Sequence, residues 1–155
     1  MSNYYLDSSA LLKRYVREIG SVWVNQISSI AYQHSIFTSE LTIAETAAVL
    51  AAKSRAPGGI SKTRYKRLLS RFLEDCEQVY TLIPVQRLII DRAVLLSQVY
   101  RLRGYDSVQL ATAITARNVL MAANSPVELI FVASDNDLLV AAQGENLLIE
   151  APENH

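Results

Sequence analysis

The sequence predicts an α/β domain in which a central parallel sheet of four to five strands lies between two layers of helices. The chain has 155 residues, and half of them are hydrophobic, which is enough for one domain with a sizeable core. Short β-rich runs alternate with longer helical patterns, as in folds built on a parallel sheet. The β-rich runs are short and apolar, which is typical of strands buried on both faces. We therefore predict a three-layer α/β/α sandwich.

Five runs of the sequence are predicted to be strands. They cover residues 3–6, 35–38, 79–82, 129–133 and 146–149. Helical patterns fill the intervals between them, so that each strand is followed by a helical connection. This order is the one expected of parallel strands joined by helical crossovers.

Four helical segments carry most of the remaining apolar residues. The first spans residues 39–54 and ends before Pro57 and two glycines. The second begins near Ser61 and bears an apolar stripe of Tyr65, Leu68, Leu69, Phe72 and Cys76. The third covers residues 86–102. The fourth begins at Asp106 and is apolar nearly all round, so we predict that it is central and buried.

The chain is predicted to form a single domain over residues 1–150, with a frayed tail at 151–155. It contains no internal repeat and no linker long enough to divide it. No apolar run approaches the roughly 18 residues of a membrane span, and we expect a cytoplasmic protein. The single cysteine, Cys76, excludes an internal disulfide and a CxxC zinc site, and its acidic neighbours favour a core thiol over a nucleophile.

Charges of opposite sign are segregated along the chain. There are 15 basic and 15 acidic residues, so the formal net charge is zero. Residues 53–71 nevertheless contain seven bases and no acid, whereas no base follows Arg117. These bases contact RNA phosphates or a partner protein, form the solvated face of an amphipathic helix, or do both. They are Lys53, Arg55, Lys62, Arg64, Lys66, Arg67 and Arg71.

Four acids lie at the carboxyl ends of strands or at the start of the next helix, where open α/β sheets have their ligand-binding and catalytic residues. Asp7 follows the first predicted strand and Asp135 follows the fourth. Asp106 begins the buried helix, and Glu45 lies about one turn inside the helix after the second strand. Because these positions share one edge of the sheet, we expect the four carboxylates to converge.

Each acid taken singly is equally well explained as a helix cap. Thr42-x-x-Glu45 and Asp106-x-x-Gln109 match capping boxes, and Asp135 is preceded by a serine. If the four acids converge, however, their charges repel. Two carboxylates about 4 Å apart repel each other by about 4 kcal/mol at an effective dielectric of about 20. Such a cluster either takes up protons or binds a cation, and an all-oxygen site suits Mg²⁺ or Mn²⁺.

Four segments of the sequence resemble the PIN-domain nucleases, and most closely the toxin component of VapBC-type toxin–antitoxin pairs. They are YYLDSSALLKRYVRE, SELTIAETAAVL, YDSVQLATA and FVASDNDLLVAA, and the resemblance extends over about residues 3–152. It implies a PIN-like fold in which acids hold one or two divalent metals. The four acids of that family fall on Asp7, Glu45, Asp106 and Asp135.

The resemblance also implies supporting residues. Ser8 and Ser134 match small hydroxyl residues that line the pocket, and Asp137 is a possible substitute for Asp135. The sequence departs from the family at Tyr105, where alanine is common, and at Gln109, where histidine is frequent. Neither departure removes a predicted metal ligand. We interpret the Tyr105 ring as a packing residue, and the alternative is that it presses on a base or closes the pocket.

The function that the resemblance implies is that of a Mg²⁺- or Mn²⁺-dependent endoribonuclease toxin. Asp7 and Asp106 would hold a metal that activates water, and Glu45 and Asp135 would complete the site. The implied partners are an RNA substrate, a cognate VapB-like antitoxin that covers the active site, and a second copy of the chain in a homodimer.

Two other functions remain open, and two more are excluded because the sequence lacks the residues that they require in suitable positions. A non-catalytic PIN-like module that binds RNA or protein is one alternative, although the four intact acids count against it. A housekeeping PIN nuclease without an antitoxin is another. A signalling receiver needs a lysine after a late strand, and the sequence has none there. A two-histidine ribonuclease would have to use His34 and His155, which are poorly placed.

Overall fold

The computed structural model describes all 155 residues, which form a five-stranded sheet flanked by seven α-helices. The strands are β1 (Asn3–Leu6), β2 (Ser35–Ser39), β3 (Tyr80–Ile83), β4 (Leu129–Val132) and β5 (Leu148–Glu150). The helices are α1 (Ser8–Leu12), α2 (Ser21–Ile27), α3 (Leu41–Arg55), α4 (Lys62–Gln78), α5 (Arg87–Val99), α6 (Gly104–Ala122) and α7 (Asn136–Gly144). Two short 3₁₀ turns cover Ile30–Tyr32 and Pro152–Asn154.

All strands of the sheet are parallel, in the order β3-β2-β1-β4-β5. The central strand is β1, in which Asn3 is paired with Ser35 of β2 on one side and Leu129 of β4 on the other. From β1 the chain winds outward through β2 to β3, and then crosses to β4 and β5. The strand order therefore reverses between β1 and β4, where open α/β sheets form their ligand crevice.

Two hydrophobic cores lie on opposite faces of the sheet. Alternation along β1 sends Tyr5 into one core and Leu6 into the other. The Tyr5 core is filled by α5, α6 and α7, and the Leu6 core by residues of α1, α2, α3 and α4. The predicted three-layer α/β/α sandwich is thus confirmed.

The predicted elements agree with the structure to within one or two residues at most ends. The stripe on α4 is confirmed, since Leu68, Phe72 and Cys76 are buried. The last strand begins later than predicted because Asn146 adopts a left-handed backbone conformation with φ of 60°. Helix α2 is a short element that the sequence pattern did not single out. None of the helices is both long and apolar enough to span a membrane.

The carboxyl-terminal residues are packed against the domain, so the prediction of a frayed tail at 151–155 is wrong. Pro152 is buried, and the Glu153 carboxylate lies 2.9 Å from Nζ of Lys13. The His155 ring stacks on Trp23 with the ring centroids 4.2 Å apart. Charge pairing and aromatic stacking thus hold a segment that has no apolar periodicity of its own.

Candidate active site

Asp7 directly follows β1, at the edge of the sheet where the strand order reverses, and the residue is 4% exposed. Its Oδ1 accepts a hydrogen bond from the Ala10 N–H at 2.8 Å, so Asp7 caps α1. Burial raises the pKa of Asp7 to about 7 although hydrogen bonds from Ala10 and Ser9 lower it, and the charge of Glu45 raises it further. No basic side chain forms an ion pair with this carboxylate.

Ser9 connects Asp7 to the loop that follows β4. Its hydroxyl lies 2.7 Å from Oδ1 and 2.9 Å from Oδ2 of Asp7 and donates to this carboxylate. The same hydroxyl accepts a hydrogen bond from the Ser134 N–H at 3.1 Å. The serines predicted to line the pocket are Ser8 and Ser134. In the structure the hydroxyl that binds Asp7 is that of Ser9, and Ser134 takes part through its backbone N–H.

Glu45 projects from the second turn of α3 and is half-buried. The residue at the amino-terminal cap of this helix is Glu40, so the predicted capping box of Thr42 and Glu45 is wrong. Both side chains instead accept hydrogen bonds from Nε2 of Gln109, at 2.9 Å to Thr42 Oγ1 and 2.8 Å to Glu45 Oε2. The Glu45 carboxylate is therefore held from α6.

Asp106 lies in the first turn of α6, where the cap position is Arg103, so the second predicted capping box is also wrong. The side chain is half-buried. Burial raises the pKa of Asp106, and the nearby charge of Asp135 raises it further, while Arg103 lowers it. Asp106 is thus close enough to Asp135 for the two carboxylates to repel each other.

Asp135 caps α7 and is exposed. Its Oδ1 accepts a hydrogen bond from the Leu138 N–H at 3.1 Å. Asp137 lies in the first turn of the same helix and is also exposed. Between these two acids, the one whose charge acts on Asp106 is Asp135.

The four acids do not form a single metal-binding cluster in the structure, although two electrostatic couplings connect them. Glu45 acts on Asp7, and Asp135 acts on Asp106. Nowhere in the 155 residues do three acidic, histidine or cysteine side chains lie close enough to hold a metal ion between them. The donor set nevertheless fits a hard divalent cation by its chemistry, because it consists of carboxylate oxygens and includes a buried carboxylate that no basic side chain neutralises.

Other polar residues of the site were missed or misread from the sequence. Gln109 is 1% exposed. The sequence feature that could have identified it as a site residue is a long polar side chain in a largely apolar helix. Tyr105, interpreted as a packing residue, is 59% exposed, so that prediction is wrong. Arg101 and Arg103, in the loop before α6, are exposed and form no ion pair.

The seven bases of residues 53–71 lie on the helical hairpin formed by α3 and α4. Lys53 is half-buried and its Nζ lies 3.6 Å from a Glu18 carboxylate oxygen, while the other six are exposed. On α4 they lie opposite the buried stripe, which confirms the solvated face. Contact with RNA or a partner protein is an additional role that this exposure permits.

A comparison with models of protein families matches the PIN domain over residues 4–139, a stretch that contains all four acids. The chain belongs to the PIN domain family. The resemblance found in the sequence is thereby confirmed over nearly the whole chain.

Solved structures with the same fold cover the PIN domain almost completely at low sequence identity. A toxin–antitoxin complex from Klebsiella pneumoniae is 18% identical, covers 96% of this chain and 97% of its own, and has a TM-score of 0.59. FitAcB from Neisseria gonorrhoeae is 13% identical, with coverages of 96% and 97% and a TM-score of 0.62. VapBC2 from Rickettsia felis, bound to promoter DNA, is 15% identical, with coverages of 96% and 98% and a TM-score of 0.61. No curated protein sequence matches the chain.

Proposed function

We propose that this PIN domain is an endoribonuclease that hydrolyses RNA phosphodiester bonds with the help of Mg²⁺ or Mn²⁺, and that it is the toxin of a toxin–antitoxin pair. The observation that carries the proposal is the buried Asp7 carboxylate in the crevice between β1 and β4, with no basic side chain to neutralise it. A divalent cation would neutralise this charge. Membership of the PIN family and the likeness to toxin–antitoxin structures support the same function.

The residues that would hold the cation are Asp7 and Asp106, and Glu45 and Asp135 would complete the site. When bound, it would lower the pKa of a water molecule and offset the negative charge of the scissile phosphate. The chain supplies the geometry for this chemistry. Ser9 and the Ala10 N–H hold the Asp7 carboxylate in one orientation, and burial keeps bulk water away from it.

RNA binding requires positive and aromatic groups beside these acids, because four carboxylates alone would repel phosphate. The loop before α6 supplies Arg101 and Arg103, and the first turn of α6 supplies Tyr105, which directly precedes Asp106; all three are exposed. We propose that the two arginines contact phosphates and that the tyrosine ring stacks on an unpaired base. The exposed bases of the α3–α4 hairpin would extend this surface.

The proposed antitoxin would compete with the cation and the RNA for the same crevice. An arginine from such a partner would pair with the carboxylates through charge-assisted hydrogen bonds and replace the missing positive charge. We also propose a homodimer. The outer face of α5 supports it, because Leu88, Leu95 and Val99 are exposed on that helix. Light scattering of the purified chain would test the dimer.

The nuclease activity is tested with purified protein and single-stranded RNA in Mg²⁺, Mn²⁺ or EDTA. We expect cleavage with either metal, none in EDTA, and none for Asp7→Asn. The control is Glu128→Gln, an exposed acid directly before β4 at the opposite edge of the sheet from Asp7, which should cleave normally. Full activity of Asp7→Asn would contradict the assignment, and RNA binding without cleavage by the wild type would favour the non-catalytic module.

The toxin role needs a separate test, because a housekeeping nuclease would pass the cleavage assay. A short reading frame next to the gene should encode a DNA-binding antitoxin. Its product should block RNA cleavage by this chain at equimolar concentration. A product that binds the chain but leaves cleavage unchanged would contradict the toxin assignment.

A further inference from the structure

A buried chain of hydrogen bonds connects Glu45 to three other elements of the fold. The Tyr5 hydroxyl, on β1, donates to Oε1 of Gln109 on α6 at 2.7 Å. Nε2 of Gln109 donates to Oε2 of Glu45 at 2.8 Å and to Oγ1 of Thr42 at 2.9 Å, both on α3. The Thr38 hydroxyl, on β2, lies 2.8 Å from Thr42 Oγ1. Four of these side chains are almost completely buried, and Glu45 alone is partly exposed.

The hydrogen-bond partners of Gln109 fix the orientation of its side-chain amide. An amide group can turn over and exchange its oxygen for its nitrogen unless its partners distinguish the two. The Glu45 carboxylate can only accept, so the amide nitrogen faces it, and the Tyr5 hydroxyl then donates to the amide oxygen. The two N–H groups of Gln109 must then face Thr42 and Glu45, and each has an acceptor.

The result for Glu45 is that one carboxylate oxygen is held and the other is free of hydrogen bonds within the protein. A glutamate on a helix surface has several rotamers of similar energy, so an unheld carboxylate would sample several positions. A buried donor at 2.8 Å selects one of them. In metal sites, carboxylates that bind the metal are oriented in the same way, by a hydrogen bond from a neighbouring residue that does not itself bind the metal.

We infer that Gln109 is a positioning residue, which holds the Glu45 carboxylate in the orientation used at the crevice while Tyr5 holds Gln109. The inference rests on the proposed function for its consequence in catalysis. The position of Glu45 itself can be measured without any activity. A purely structural glutamine would contribute to stability and leave Glu45 where it is.

The first test replaces the amide with an apolar side chain of similar size in Gln109→Leu. In the metal-free crystal structure we expect the Glu45 carboxylate to move from its place or to occupy several positions. In solution we expect about 10- to 100-fold weaker Mn²⁺ binding by calorimetry without RNA, and a similar loss in kcat with little change in KM. A Glu45 carboxylate that keeps its position in Gln109→Leu overturns the inference, whatever the activity of the protein.

A second variant and a matched control separate positioning from stability. Gln109→Glu keeps the side-chain volume and the acceptor for Tyr5, but once the new carboxyl group has lost its proton at high pH it places a negative charge opposite Glu45, so it should displace Glu45 under those conditions. Thr115→Val is the control, because it removes a hydroxyl that donates to the Ala111 carbonyl elsewhere on α6. We expect it to lower the melting temperature without moving Glu45 or weakening Mn²⁺ binding. Equal losses of Mn²⁺ affinity in the control and in Gln109→Glu would overturn the inference.

The outcome for the inference differs from the outcome for the proposed function. A wild-type protein that neither binds Mn²⁺ nor cleaves RNA would refute the nuclease, while the Glu45 position in the two variants would still decide the role of Gln109. Conversely, a metal-dependent nuclease whose Gln109 variants keep Glu45 in place would refute the inference alone.

Discussion

Replacing Asp7 with asparagine should make the metal-free protein more stable at neutral and alkaline pH while it abolishes the proposed activity. The carboxyl group is 4% exposed, and its pKa in the folded protein is raised from 3.8 to about 7, chiefly by burial. Between these two values the folded protein holds a proton that the unfolded chain releases. The free energy of unfolding of the wild type therefore falls as the pH rises from about 4 to about 7.

The size of the effect follows from the pKa values. A rise from 3.8 to about 7 corresponds to about 4 kcal/mol, since a tenfold change in a protonation equilibrium corresponds to about 1.4 kcal/mol. This is an upper limit, because the folded protein can relax around the charge. An asparagine in this position stays neutral, and its oxygen can still accept the hydrogen bond from the Ala10 N–H. The variant and the wild type should therefore be equally stable near pH 4 and differ most above pH 7.

The assay is denaturant unfolding of both proteins at pH 4, 6 and 8 in EDTA, followed by repetition at pH 8 with Mn²⁺. Adding Mn²⁺ should stabilise the wild type and leave Asp7→Asn unchanged, because the ion binds the folded carboxylate. The reasoning is refuted if Asp7→Asn is less stable than the wild type at pH 8 in EDTA. It is also refuted if the two proteins lose stability equally between pH 4 and 8. Glu128→Gln, at an exposed position without an ion pair, is the control and should follow the wild type.

Three further predictions concern the surroundings of the crevice. Tyr105→Ala should raise the KM for RNA about tenfold with little change in kcat, since stacking on one base is worth about 1–3 kcal/mol; Tyr32→Ala, at another exposed tyrosine, should have no effect in the same steady-state assay. Ser9→Ala should lower kcat, because Asp7 loses the hydrogen bond from the Ser9 hydroxyl. It should also lower the free energy of unfolding in denaturant by about 1–3 kcal/mol, because the Ser134 N–H loses its acceptor. Unchanged stability would show that the hydrogen bond between Ser9 and Ser134 is unimportant. Glu153→Gln should lower the free energy of unfolding by about 1 kcal/mol, because the buried Lys13 then keeps only the Glu18 carboxylate, 3.4 Å away; an unchanged melting temperature would mean that this ion pair contributes nothing to the packing of the tail.

Much of the fold and the identity of the acids could be predicted from local sequence patterns. The strands are short apolar runs between helical segments, and both kinds of periodicity are local properties of the chain. Parallel strands place their carboxyl ends at one edge, so acids that follow β1 and β4 must lie near the reversal of strand order. Asp7 and Asp135 were placed at this edge for that reason, and both also cap helices, as the simpler interpretation predicted.

The arrangement of side chains within the site was decided only by the tertiary structure. Gln109 contacts Tyr5 across 104 residues of sequence and Glu45 across 64, and no local pattern encodes such a pair. The same holds for the exposed ring of Tyr105 and for Ser9, which bridges 125 residues to the backbone of the loop after β4. The sequence by itself determined which elements form and which acids stand at their ends, because periodicity and strand direction are properties of the backbone. Which polar groups then meet, and which acids pair, depends on how helices from distant parts of the chain pack against the sheet.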